Sequence, residues 1–276
     1  MGTGHGPGQD SRRQGFATAE VTGLICVRNI EMPGEPVADA RRPAYVQVPG
    51  EPVFDVRRRR YLRDTANGMP PQHAPPMAEV FDTIYRRNKW GSPETHSGAG
   101  SERGRVQWLQ RSLEFLLARL GTRSLLDAAC GDFNWLREVR LSGIDYVGAD
   151  IVADMVRANR ARYEAPGRRF VVLDVTRDAL PPVDMIMCRD CLVHLSDADL
   201  AAALGNFARS GAAYLLTTDY VATEENLDIV NGWWRPVNLG RPPFDLPPAL
   251  LQLPDADSDD LYPDKVLALW RIADWP

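Results

Sequence analysis

The sequence predicts an α/β fold, a mostly parallel sheet with helices on both faces. Two observations carry this. Five short apolar runs, RSLLDA, DYVGAD, RRFVVLD, VDMIMCR and AAYLLTT, follow one another between residues 123 and 218. Amphipathic helical stretches separate several of them, and strands alternating with helices make a parallel sheet that is buried on both sides.

Each element has its own signal. MAEVFDTIYRRN, from residue 77, reads as a helix, and WGSPETHSGAGSE follows as a Gly/Ser-rich loop. In ERGRVQWLQRSLEFLLARLG, Val106, Leu109, Leu113, Leu116 and Leu120 share one helical face, and Gly121 is a natural stop. VADMVRANRARY and ADLAAALGNFARSG are the next helices. Ser196 is placed to cap the second, whose apolar face is Leu200, Leu204 and Phe207. After residue 218 the alternation stops. WWRPVNL, a Pro-rich loop and KVLALWRI follow, with a terminal antiparallel pair as their expected form.

The chain divides near residue 75. Residues 1–75 hold ten Arg and eight acidic residues and end in MPPQHAPP. Short β-like runs (VTGLICV, AYVQV, EPVFDV) are broken by Pro-Gly turn signals, so this part reads as an N-terminal arm, partly ordered or a small β element. Residues 76–276 form the main domain. The net charge of −5 argues against a general nucleic-acid-binding protein, although Arg57–Arg60 is a local basic run. No stretch approaches the roughly 18 apolar residues of a membrane helix, and the N-terminus lacks the apolar run of a secretory signal. Four cysteines make no disulfide scaffold. The expected setting is soluble, reducing and cytoplasmic. The oligomeric state is left open.

In an open α/β sheet, ligands bind at the carboxyl ends of the strands. Read in order, those ends are Asp127, Asp150, Asp174, Arg189-Asp190 and Thr217-Thr218-Asp219-Tyr220. The first turn, Ala129-Cys130-Gly131-Asp132-Phe133, has neither the G-x-G-x-x-G of a dinucleotide site nor the lysine of a P-loop. An acidic rim repels phosphate. It suits a nucleoside that carries an ammonium group and a cationic centre.

Residues 123–218 resemble the core of the class I S-adenosylmethionine-dependent methyltransferases. LLDAACGDFNW is similar to their first motif, with Ala129 and Phe133 where glycines are usual, which leaves the loop path open. The resemblance implies a Rossmann-like seven-stranded sheet with its last strand pair antiparallel. It implies that Asp127 and the Gly131 loop, with Asn134, hold the methionine part of S-adenosylmethionine. Asp150, with Ile151 beside it, would grip the ribose hydroxyls, and Asp174 with Val175 would read the adenine. The Arg189 carbonyl would face the cofactor ammonium. IYRRNKWGSPETHSGAGSE, CGDFNW, RDCLVHLS, SGAAYLLTTDY, NGWWRPVNL and PPFDLP are similar to a bacterial subgroup of unknown substrate.

For the chemistry, His194 in RDCLVHLS is the expected general base, with loop packing as its alternative. Asp190 serves as base, orients His194, or binds cofactor through water. His96 is a weaker candidate. Trp90 is either a lid over the cofactor or a core residue. Tyr220, Asn226, Trp233, Arg235 and Asn238 lie where an acceptor pocket is built, with a structural salt bridge as the alternative role of Arg235. Cys188 and Cys191 form a C-x-x-C without a second pair, and no metal is expected. The expected function is methyl transfer from S-adenosylmethionine to a small-molecule acceptor, at oxygen in preference to nitrogen. The rivals are methylation of a protein or RNA, and cofactor binding without transfer.

Overall fold

In a computed structural model the described residues are 75–255 and 262–276. The N-terminal arm, with Arg57–Arg60 and its β-like runs, lies outside them apart from its final residue. A single sheet runs in the order β3-β2-β1-β4-β5-β7-β6. Its strands are β1 (Ser124–Ala128), β2 (Asp145–Asp150), β3 (Arg168–Val172), β4 (Met185–Cys188), β5 (Tyr214–Tyr220), β6 (Leu251–Pro254) and β7 (Lys265–Arg271). The ladders from β3 to β5 are all parallel, and β7 runs antiparallel to both β5 and β6.

The α-helices are α1 (Met77–Arg86), α2 (Gln107–Leu120), α3 (Ala153–Tyr163) and α4 (Asp197–Arg209). Helix α2 ends where expected, at Gly121, whose φ of +64° supplies the left-handed cap. Helix α4 starts at Ser196, whose hydroxyl accepts from the Asp199 amide. Strand side chains alternate across the sheet. Leu125, Met185, Met187 and Leu216 face Leu109, Leu113 and Leu116 of α2. Leu126, Ile186 and Leu215 face Leu200, Leu204 and Phe207 of α4 on the other side. Two apolar layers thus hold the strands so that β1 to β5 end on one rim. The chain leaves β1 toward β2 and returns to β4, so a crevice opens at the β1–β4 junction.

The sixth strand is not where the sequence reading put it. Leu251–Pro254 pairs with β7, whereas WWRPVNL is irregular. Its backbone groups bond elsewhere: Arg235 N donates to the Val193 carbonyl, and the Val237 carbonyl accepts from Tyr220 N. Pro236 has no N–H to offer a ladder. LQLP, only four residues ending in Pro254, reads as loop. Among the described residues no helix is long and apolar enough to cross a membrane.

Candidate functional site

The first turn leaves β1 through a run of left-handed residues. Ala129, Gly131 and Phe133 have φ of +73°, +57° and +59°. The two positions where the family's motif has glycine therefore keep a glycine-like backbone without being glycine. Each costs about 1–2 kcal/mol. Phe133 offsets this by burial, its ring lying 5.2 Å from those of both Tyr146 and Phe170. Gly131 is required for another reason: a Cβ there would collide with the Ser97 hydroxyl.

Over this turn opens a cavity of about 1010 Å3, open solvent at its mouth included. Asp127, Gly131, Asp150, Ile151, Asp174, Val175, Arg189, Asp190, His194 and Trp90 all line it. Most of the expected site residues are thus brought together. Asp127 is buried and accepts from Tyr146 Oη at 2.7 Å. Burial pushes its carboxyl up to about 7, against the hydrogen bond from Tyr146. Burial likewise lifts Asp150 to about 6, although the amides of Val152 and Gly131 pull the other way. Those amides donate one hydrogen bond to each Asp150 oxygen, at 3.0 and 3.1 Å. A carboxylate oxygen accepts two, so each oxygen keeps a site for one hydroxyl of a vicinal diol. Asp174 is turned partly inward, its carboxylate accepting from Thr176 and pairing with Arg177 at 2.9 Å.

Two residues of the first turn latch a loop over the cavity. Asp132 accepts from Thr95 Oγ1 at 2.8 Å, His96 N at 2.9 Å and Ser97 Oγ at 3.1 Å. Asn134 donates to Glu94 at 2.6 Å and to the Ser101 carbonyl. That amide and Arg103 draw the Glu94 carboxyl down to about 2. Asn134 lies outside the cavity lining, since its amide is spent on this loop. Trp90, at the start of the loop, is partly exposed and stacks on His194, centroids 4.9 Å apart. His96 lines the cavity and packs on Tyr85.

His194 ends a 3-10 turn, Leu192–His194, between β4 and α4. The segment Asn231–Arg235 holds it from behind. Gly232 N donates to the His194 carbonyl at 2.8 Å, and Asn231 bonds Ser196 N and Asp199. Nδ1 of His194 lies 2.8 Å from the Trp233 carbonyl. A carbonyl only accepts, so Nδ1 carries the proton and Nε2 keeps its lone pair. Burial lowers the ring's pKa below its ordinary value, outweighing the Trp233 carbonyl and Asp190, and the neutral form prevails at pH 7.

Asp190 belongs to a buried ion quartet. Its Oδ2 is 2.8 Å from Lys265 Nζ and 3.4 Å from Arg189 Nη1. Asp255 accepts from Arg189 at 2.8 and 2.9 Å and faces Lys265 at 3.2 Å. Burial would raise the Asp190 carboxyl, but Lys265 and Arg189 hold it well below the usual range. Such a carboxylate is a poor proton acceptor, so Asp190 suits positioning and charge balance better than the role of base.

Other expected residues are placed elsewhere. Arg235 is buried and paired with Asp197 at 2.7 Å, the structural alternative considered for it. Asn238 donates to the carbonyls of Val221 and Thr223 and, with Asn226, ties down the chain after β5. Tyr220 lines a second pocket, and Asn134 serves the loop. Lys265, Asp255, Asp132 and Ser97 were missed. One signal was available for the first: among 32 basic residues only Lys89 and Lys265 are lysines. Cys188 and Cys191 are free thiols, and among the described residues no group of three or more His, Cys, Asp or Glu is gathered for a metal.

Residues 125–211 match the family model described as a methyltransferase domain. No curated protein matches the chain. Solved structures similar to it include the PH0226 protein from Pyrococcus horikoshii OT3, at 20% identity over 48% of this chain and 65% of that one, with a TM-score of 0.39. Human N-acetylserotonin methyltransferase in complex with SAM is 16% identical over 64% of this chain and 52% of that one, TM-score 0.39. Magnesium protoporphyrin IX methyltransferase from Synechocystis PCC 6803, with bound SAH, is 19% identical over 62% and 74%, TM-score 0.39. The match thus spans between about half and two thirds of the first two of these chains. The matched methyltransferase domain thus lies at the centre of a seven-stranded sheet whose last strand pair is antiparallel, the topology that the resemblance to class I S-adenosylmethionine-dependent methyltransferases implies.

Proposed function

We propose that the protein methylates a small-molecule acceptor at oxygen, with His194 as general base. The observation that carries this reading is the Nδ1–Trp233 hydrogen bond, which leaves His194 Nε2 basic inside the cavity that the strand-end carboxylates line. S-adenosylmethionine supplies an electrophilic methyl group when bound. Asp127 offers negative charge to the cofactor's ammonium, the Gly131 turn lets backbone come close, and Asp150 accepts from the ribose diol. Asp174 and Val175 would hold the adenine, and the Arg189 backbone would accept from the ammonium. Trp90 and the latched loop shield the reacting groups from water. His194 takes the hydroxyl proton on Nε2 as the methyl group is transferred, and its Nδ1–H stays on the Trp233 carbonyl. The Ser92–Ser101 loop, latched across the cavity, favours a small acceptor over a macromolecular surface. The free thiols Cys130, Cys188 and Cys191 suit a reducing, cytoplasmic setting.

The test is turnover of a panel of phenols, enols and amines with S-adenosylmethionine, read by mass. O-methylated products are expected. His194→Ala should lower the rate about 10²–10⁴-fold with S-adenosylhomocysteine affinity kept. N-methylation alone, or a His194→Ala enzyme of near-full activity, overturns the reading.

A further inference from the structure

A second pocket of about 660 Å3, open solvent included, lies on the other side of Arg189 from the cofactor cavity. It is lined by Ala99, Gly100, Arg105 and Val106 from the stretch before α2, and by Tyr220, Trp234, Tyr262, Asp255 and Lys265 from the carboxy-terminal third of the chain. Arg189 lines both pockets, and Lys265 reaches through to Asp190, so this ion quartet is the partition between them.

The rest of its lining includes three aromatic rings. Tyr220 meets Trp234 edge-on, with centroids 5.9 Å apart and planes at 86°, and meets Tyr262 in the same way at 5.6 Å and 88°. Trp234 and Tyr262 tilt against each other at 4.9 Å. The three rings come from segments 14 and 28 residues apart in sequence, so the fold assembles them. A ring cluster made only for packing would be closed off. Here all three rings line an opening, and Trp234 is 37% exposed. The charges of the partition cancel: Arg189 and Lys265 against Asp190 and Asp255. Arg105 has Glu102 at 3.9 Å. A charged ligand entering this pocket would lose hydration with no uncommitted counter-charge in the partition to replace it. A flat uncharged ring would gain edge and face contacts with three aromatic side chains.

We propose that this pocket is a second ligand site, separate from the cofactor cavity, for an uncharged planar aromatic compound of one or two rings. The proposal rests on this geometry alone and stands whether or not transfer is to oxygen.

The probe is 2-naphthol, with 2-naphthoate as its charged counterpart, titrated calorimetrically against the full chain at pH 7 with S-adenosylhomocysteine saturating. Saturable binding of 2-naphthol is expected, at least about fivefold tighter than that of 2-naphthoate. Trp234→Ala and Tyr262→Ala should each weaken it by about tenfold, the equivalent of about 1.4 kcal/mol. Both variants should keep the wild-type affinity for S-adenosylhomocysteine, which shows that they are folded. Three results overturn the proposal: no saturable binding at 1 mM, loss of binding when S-adenosylhomocysteine fills its cavity, or equal or tighter binding of 2-naphthoate. If one variant fails to fold, the other carries the test.

Discussion

The cofactor cavity sets two carboxyls near neutrality, and this has a measurable consequence. Asp127 titrates at about 7 and Asp150 at about 6, both raised by burial. In the proposed site an ammonium and a pair of hydroxyl donors would bind the ionised forms. As pH falls below 7 the free protein protonates Asp127 first and Asp150 next, and each proton must leave before the cofactor is gripped. S-adenosylhomocysteine affinity should therefore fall roughly tenfold or more from pH 8 to pH 5.5. Calorimetry across that range checks it, and Asp127→Asn should flatten the profile. A pH-independent affinity would sink the assignment of both acids. The turn beside them gives a second residue-scale expectation. Ala129 sits at φ +73°, where glycine is unstrained. Ala129→Gly should be neutral or stabilising by a few tenths of a kcal/mol, relief of strain outweighing added freedom in the unfolded chain. Phe133→Gly, at the same kind of backbone, should lose about 3–5 kcal/mol because the buried ring goes with it. Urea melts of both variants separate backbone strain from side-chain packing.

At the scale of the element, the segment 231–235 orients the imidazole of His194 for the base role proposed for it. It bonds the backbone of the His194 turn and sets the tautomer through Trp233. Its hinge is Gly232, at φ +84°, wedged against α1. A Cβ there would stand 2.6 Å from Val80 Cγ1 and 2.9 Å from Ile84 Cδ1. Gly232→Ala should therefore push the segment off α1 and lengthen the Nδ1–carbonyl contact. The expected signature is a mixed tautomer of His194 in nitrogen NMR of the imidazole, with stability lowered by about 1–3 kcal/mol. An unchanged spectrum would show that the tautomer is set by other groups. The sequence showed how far such elements can be read. Helices α2 and α4 were legible because apolar spacing, Gly121 and Ser196 are local signals. Leu251–Pro254 was not, because four residues ending in a proline become a strand only through pairing with β7, a contact distant in sequence. The role of Asn231–Arg235 was hidden for the same reason. N-G-W-W-R is a turn signal on its own, and only the fold sets it behind His194.

For the molecule as a whole, strand direction explains the charge of the rim. Parallel strands β1 to β5 deliver their carboxyl ends there, and the acids at those ends were legible in the sequence as a register. The reversed strand β7 delivers its amino end to the same rim, and that residue is Lys265, at the start of the β5–β7 ladder. The sequence reading took strand ends as carboxyl ends and so passed over the one strand that arrives backwards. Lys265 sits at the meeting point of Asp190 and Asp255, with its side chain almost wholly buried. Removing it leaves two buried carboxylates to share Arg189. A buried pair broken on one side costs about 3–5 kcal/mol, so Lys265→Ala should lose that much stability in urea unfolding. Adding Asp190→Asn removes the orphaned charge and should recover part of the loss, with a coupling above about 1 kcal/mol in the double-mutant cycle. Additive effects, or a Lys265→Ala loss below about 1 kcal/mol, would mean that water reaches the quartet and screens it. The partition between the two pockets would then be a hydrated surface, not a dry wall of paired charges.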